Sequence, residues 1–303
     1  MGLGYAGSRG VHLMSFVGNV NATRPQYLAD GRVFLAADAP RLNPAFSQIS
    51  MRRTQFDPVF HGLTVRVERR WRDGFGFQGS YQWSKSIDNS SSTITNDFTA
   101  TDSVPTVYNY RANRGLSDFD LRHVTALNLS WRIPPAGGRI AAWALRGWEL
   151  HTLAKLQGGQ PFAPTVGFDR VRLQTTRADL GQRPDFIGAP GGRLILGDPQ
   201  MYFDPMAFGL PAAGYFGTLG RGTLIGPGLF ALDAALHKTF WQGERRSLSF
   251  RFEAFNVTNH PNFRQPSSLA LFGSTGARVG SAGRITDTST PARQIQLALK
   301  WAF

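Results

Sequence analysis

The segment from Pro291 to Phe303 reads PARQIQLALKWAF, and its alternate positions Ile295, Leu297, Leu299, Trp301 and Phe303 are all apolar. Gln294, Gln296 and Lys300 fill most of the interleaved set, so the pattern has period two up to the last residue. One face of this strand meets oil and the other meets water. Nowhere does the sequence hold the ~18 consecutive apolar residues that a membrane helix needs, so the chain crosses a bilayer as strands or not at all. Aromatic residues closing the apolar face suit a transmembrane strand ending at a membrane interface; the plainer alternative is an edge strand of a soluble β-protein.

The remaining strands decide between these. Between Phe60 and Trp71, Leu63, Val65, Val67 and Trp71 alternate with Thr64, Arg66, Glu68 and Arg70. Arg69 falls on the apolar face near its end, where a long side chain can reach the interface. Asp73-Gly74 is a strong hairpin signal, and Phe75, Phe77, Tyr81 and Trp83 return opposite Gln78, Ser80, Gln82 and Ser84. Leu127, Leu129 and Trp131 alternate with Asn128, Ser130 and Arg132 up to Pro134-Pro135, which cannot continue a ladder. Residues 148–157 alternate less cleanly. Phe230, Leu232, Ala234, Leu236 and Phe240 form another apolar row, and after a short turn at residues 242–245, Leu248, Phe250, Phe252 and Ala254 oppose Ser249, Arg251 and Glu253. Residues 1–16 add a weak strand, for about eight in all.

Connections alternate in length. Residues 18–58, 85–120, 158–228 and 258–290 are long and aperiodic, whereas those between are short, so all the long loops emerge from one edge of an up-and-down meander. Trp71, Trp131, Trp143, Trp148, Trp241 and Trp301 lie near the short-turn edge and only Trp83 toward the other, as in an interfacial girdle. The fold class expected is an all-β, antiparallel up-and-down transmembrane barrel segment with long extracellular loops. Eight strands could close a small barrel filled with its own side chains. Loops this long point instead to part of a larger one.

Composition agrees: 42% apolar, 17% charged, 34 Gly, 18 Pro and 23 Phe describe a turn-rich, aromatic-rich chain. The net charge of +13 comes from arginines scattered singly, without a basic run or helical face, which argues against nucleic-acid binding. The absence of cysteine excludes disulfides, thiolate nucleophiles and zinc-thiolate sites. No secretory signal opens the sequence, so an exported protein would have to be a fragment.

Motifs for other chemistries are weak. Gly2, Gly4 and Gly7 match G-x-G-x-x-G without the strand before and helix after that a dinucleotide site needs. The glycine-rich run 217–228 lacks G-K-[ST]. The histidines His12, His61, His123, His151, His237 and His260 show no ligand spacing, so no metal or cofactor is expected. His123 or His151 beside a serine would suit a membrane hydrolase, but no orienting carboxylate or oxyanion glycine is legible. The Asn-x-Ser/Thr triplets at Asn21, Asn89, Asn128 and Asn256 are common by chance, and Asn259 to Phe263 reads as a turn closing a strand.

Several segments together resemble the C-terminal part of the TonB-dependent transporter family, in its Oar-like branch known from Acidobacteria. They are GYAGSRGVHL, GLTVRVERRWRDGFGFQGSYQWSKSID, NRGLSDFDLRH, GWELHTLAKLQGGQPF, GTLGRGTLIGPGLFALDAALHKTF, FRFEAFNVTNHPNF, GRITDT and PARQIQLALKWAF, in order along nearly the whole chain. The resemblance implies a wall segment spanning 1–303 of a larger plugged barrel in the outer membrane of a Gram-negative cell, with no enzymatic role. Its implied partners are outer-membrane lipid, the barrel-assembly machinery, a plug domain and TonB through an N-terminal part, and an unknown substrate. It further implies that Arg66, Glu68, Arg251 and Glu253 face the lumen and contact the plug. Leu299, Trp301 and Phe303 would carry the assembly signal, and loops 85–120 and 158–228 would capture substrate. The alternative is a complete eight-stranded barrel with a structural or adhesive role.

Overall fold

A computed structural model describes the chain apart from residues 18, 92–109, 136–145, 175–180, 190 and 243–245. Trp143 and most of the turn at 242–245 lie outside the described residues. Where alternation is strict, the backbone is extended and paired: β1 (Gly2–Arg9), β2 (Val59–Arg72), β3 (Phe75–Asp88), β4 (His123–Arg132), β5 (Trp148–Gln157), β6 (Leu229–Gln242), β7 (Ser247–Phe255) and β8 (Gln294–Ala302). These eight pair antiparallel in sequence order, and the two-residue strand Gly115–Leu116 adds to β3 as a ninth. Among the described residues β1 and β8 each pair on one side only.

The register carries one apolar face across the whole sheet. Leu3 opposes Val65 and Val65 opposes Tyr81; Phe77 opposes Leu129 and Leu129 opposes Thr152. Leu236 links Leu150 to Phe252, and Phe252 opposes Leu297. A one-residue slip anywhere would send that strand's apolar row to the polar side, so the alternation itself pins the register. Asp73 and Gly74 have φ of 54° and 77°, the left-handed pair of a two-residue hairpin whose twist suits the flanking strands.

One expected placement is corrected. The register shifts between Arg69 and Arg72, a bulge that flips the parity of β2 near its end. Trp71 therefore leaves the apolar row: its ring covers Gly76, which lies on the polar face opposite Ser130, and Arg132 stacks 5.7 Å from its centroid. Arg69 stays on the apolar face with its guanidinium over the Phe75 ring at 5.2 Å. The opening segment also divides. Gly2–Arg9 belongs to the wall, while Leu13–Val17 pairs with Met51–Phe56 in a separate ladder.

The hydrophobic core does not sit against the sheet. Phe162, Val166, Phe203, Phe208, Leu219, Leu271, Phe272 and Ile285 are buried together, and all come from the long connections 158–228 and 256–293. Phe203 and Phe208 are fully buried, with ring centroids 6.0 Å apart in an edge-to-face contact. The aperiodic loops thus fold into a cap with its own core, while Leu3, Leu297, Leu299 and Trp301 remain about 70% exposed on the wall. We expect Phe203→Ala to cost the cap about 3–5 kcal/mol, as other buried phenylalanines do. Protease nicking of the loops should rise while the paired wall strands stay protected; equal protease resistance would show that this core does not hold the cap.

Candidate ligand-capture surface

The connection 158–228 is the hub of the cap. Residues 10–58 dock on it through Asn19 Nδ2 to Leu173 O at 3.0 Å, Arg172 Nη1 to Leu35 O at 3.1 Å and Leu35 N to Gly214 O at 2.9 Å. Residues 256–293 dock on its other side, where Leu271 N donates to Thr165 O at 2.9 Å and Gln265 Nε2 to Pro161 O at 3.2 Å. The glycine-rich run is built for contact between backbones: a Cβ on Gly217 would lie 2.1 Å from Arg183 O. That requirement explains the run without any phosphate.

The two segments expected to capture substrate, 85–120 and 158–228, meet at two arginines. Arg183 donates through Nη1 to Asn113 Oδ1 at 2.8 Å and through Nε to Leu219 O at 2.8 Å. Arg221 is buried and forks between Asp88 Oδ1, at the end of β3, and Asp118 Oδ1 at 3.0 Å, with Ser91 Oγ at 2.6 Å from Nη2. Ser91 in turn donates to Asp88 Oδ2 at 2.7 Å, so every charge in this cluster has a hydrogen-bonded partner. Beside it lies a cavity of about 700 Å³ lined by Asn113, Asp118, Arg183 and Arg221 together with Gln160 and Gln265. A second cavity of about 340 Å³, lined by Tyr27, Arg32, Tyr215 and Phe216, shares Asn113 and Arg183 with the first. Both volumes fall in or near the range of small-ligand sites, and their walls combine amide, guanidinium and aromatic groups.

Burial raises the Asp118 carboxyl above its ordinary 3.8; Arg221 opposes that rise and Asp88 adds to it. The folded cap therefore binds this proton more tightly than the unfolded chain does. Its stability should fall as pH rises from about 4 through the folded value, since the unfolded group has by then lost its proton and the folded one has not. Asp118→Asn removes that slope, which loop proteolysis at several pH values would read; a slope unchanged in the variant would assign the dependence to another group. Because the side chain is half exposed, the effect is modest.

The family model for the outer membrane beta barrel domain matches residues 1–296. The chain belongs to this family. It is an outer-membrane protein, and the apolar face traced above is the face that meets lipid. A search of curated proteins finds no match. Among solved structures, the outer membrane transporter YddB from Escherichia coli is similar at 12% identity and a TM-score of 0.43, over 99% of this chain and 30% of that one. The chain thus spans less than a third of that transporter's length.

Within the barrel wall, Arg66, Glu68, Arg251 and Glu253 all lie on the face opposite the lipid-facing one. Arg66 opposes Gly2 and Ser80, and Glu253 opposes Ala235 and Gln296. Arg251 Nε is 3.1 Å from Glu253 Oε1, so these two pair along one strand. Leu299 and Trp301 oppose Phe250 and Leu248 on the lipid-facing row, and Phe303 stands beyond the ladder with its ring 6.4 Å from that of Trp301.

One feature escaped the sequence. Asn262 is almost fully buried and closes the rim of β6: its Oδ1 accepts from Phe230 N at 2.7 Å while its Nδ2 donates to Phe230 O at 2.9 Å and Thr290 Oγ1 at 2.9 Å. The Asn-rich stretch around it was the available signal, since buried asparagines replace a ladder partner where a strand ends. The serine–histidine pairing raised for His151 forms on the polar face, Ser130 Oγ to His151 Nδ1 at 2.9 Å, with Glu149 Oε2 3.8 Å from His151 Nε2. β4 and β5 are each paired on both sides, which commits their backbone amides beside the hydroxyl to the ladder. Arg132 also holds Glu149 Oε1 through Nε and Nη2.

Proposed function

We propose that this chain is the wall and capture cap of a TonB-dependent receptor of the Oar-like kind, taking up a substrate in the full-length parent. The observation that carries the reading is the cored cap on one rim of a wall that is apolar outside and polar inside, its two expected capture loops meeting beside a 700 Å³ cavity. The segment-by-segment resemblance supports it, as do the wall edges β1 and β8, which among the described residues pair on one side only. In this reading Arg66, Glu68, Arg251 and Glu253 contact a plug, TonB acts through the N-terminal part, and the assembly machinery reads Leu299, Trp301 and Phe303.

Sequencing the DNA upstream of the Met1 codon tests it. An open frame encoding a plug and a signal peptide is expected. An in-frame stop followed by a promoter, with the isolated chain running as a closed heat-modifiable barrel, would overturn it in favour of a small structural or adhesive barrel. We further propose that the barrel is no hydrolase, because the backbone amides beside the Ser130–His151 pair are committed to the ladder. A fluorophosphonate probe should leave Ser130 unlabelled, and labelling lost in Ser130→Ala would reverse this.

A further inference from the structure

The charges on the wall are sorted by face. All five acidic residues of the eight strands, Glu68, Asp88, Glu149, Asp233 and Glu253, point to the polar side by register. The charged groups on the lipid-facing side are basic: Arg9 and Lys85 toward the long-loop end, Arg69, Arg72 and Lys238 toward the short-turn end. At the short-turn end two of these cations are laid on rings, Arg69 over Phe75 at 5.2 Å and Lys238 between Trp148 at 5.1 Å and Phe240 at 5.2 Å.

The long-loop end is built differently, around a repeated pair. Tyr5 Oη lies 2.7 Å from His61 Nδ1, with the rings stacked 6.2 Å apart. Tyr81 Oη lies 2.7 Å from His123 Nδ1, with the rings stacked 6.0 Å apart. Both pairs are diagonal across neighbouring strands, since His61 opposes Gly7 and His123 opposes Trp83. Gly7 makes room for the first, because a Cβ there would sit 2.9 Å from Tyr5 Oη. When the tyrosine donates to Nδ1, the ring proton is held on Nε2, the edge turned away from the pair. Lys85 directly opposes His61, placing its Cβ about 5 Å from that of the imidazole. One strand, β3, lies between the two histidines, which places them two strand spacings or about 10 Å apart in the pairing direction. Trp83 sits between them, half exposed. Among the described residues no carboxylate pairs with Lys85, and the nearby acid Asp57 is 3.9 Å from Arg9.

We infer that Tyr5–His61, Lys85 and Tyr81–His123 form a binding site on the outer surface of the barrel for the phosphate-bearing headgroup of an outer-leaflet lipid. Long loops mark this rim as the external one. The N–H donors and the ammonium match phosphate oxygens in charge and in hydrogen-bonding sense, while Leu3, Leu63 and Val65 below them on the same face receive the acyl chains. The site needs only the lipid-facing side and is independent of what the cap captures.

The test uses the whole protein that carries this wall, purified from outer membranes and reconstituted in phosphatidylcholine vesicles that contain dibrominated phosphatidylglycerol or dibrominated phosphatidylcholine. Quenching of Trp83, taken as the difference from Trp83→Phe, reads which lipid stands at the site. The anionic lipid should be preferred about fivefold, the scale of one basic contact at a membrane surface. The preference should be lost in the triple variant H61Q/K85Q/H123Q, weakened in K85Q alone and kept in K85R. Excess inorganic phosphate at constant ionic strength should leave it unchanged. Equal quenching by both lipids, or a preference intact in K85Q and in the triple variant, would overturn the proposal. Loss of the preference to free phosphate would also overturn it, by showing an anion site rather than a lipid site.

Discussion

Arg221→Ala should unclamp the cap from the wall at a cost of about 3–5 kcal/mol, the penalty for leaving a buried carboxylate without its partner. The Asp88 side chain is 2% exposed and that of Arg221 5%, so in the folded protein the carboxylate leans on the guanidinium and not on bulk water. The ladder of β3 does not depend on the guanidinium, because its pairing to β2 and β4 is made by backbone. The expected result is therefore local: loops 85–120 and 158–228 become open to protease while the wall remains resistant to urea in micelles. Arg221→Lys keeps the charge but not the fork that reaches Asp118 and Ser91 together, and should fall between. Combining Arg221→Ala with Asp88→Asn should recover part of the loss, as expected for two residues that share one interaction. Unchanged loop protection in Arg221→Ala would show that the cap is held by the Phe203–Phe208 core alone.

If the assembly machinery reads the last strand as proposed, Phe303→Asp, or deletion of Phe303, should abolish insertion into the outer membrane. Phe303 is 95% exposed and lies past the last paired residue, Ala302, with Trp301 as its ring contact. Losing so exposed a side chain removes little packing, and surface substitutions of this sort usually shift stability by no more than about 0.5 kcal/mol. A loss of insertion would then come from recognition during assembly and not from a weaker fold. Immunoblots of separated membranes measure it directly. Normal amounts of the Asp variant in the outer membrane would remove Phe303 from the assembly signal.

Most of the wall was legible because a strand's two faces meet two solvents. Leu63, Val65 and Val67 against Thr64, Arg66 and Glu68 state both the extended backbone and the side each residue takes. Asp73-Gly74 states the turn. Where the pattern misled, at Trp71, one extra residue in a bulge reversed the face, and bulges leave no mark in an alternation count. In β5 the pattern was blurred by Leu153, an apolar residue on the polar face opposite Asn128 and Asp233.

The candidate capture surface was legible only as length. Segments 85–120 and 158–228 stood out as long and aperiodic, which placed them on one rim, but nothing in them announced that Phe162, Phe203, Phe208 and Phe272 share a core. Their burial arises from contacts between residues far apart in the chain, without a repeat to reveal it. The same holds for Arg221, which lies more than a hundred residues from both Asp88 and Asp118. Sequence alone determined an antiparallel wall and its oily side, because period-two alternation is a local consequence of strand geometry. Only the tertiary structure decided that the loops form a cored cap clamped by buried ion pairs, and that tyrosine and histidine pair on the lipid-facing rim. Those contacts depend on which distant segments the folded wall brings together.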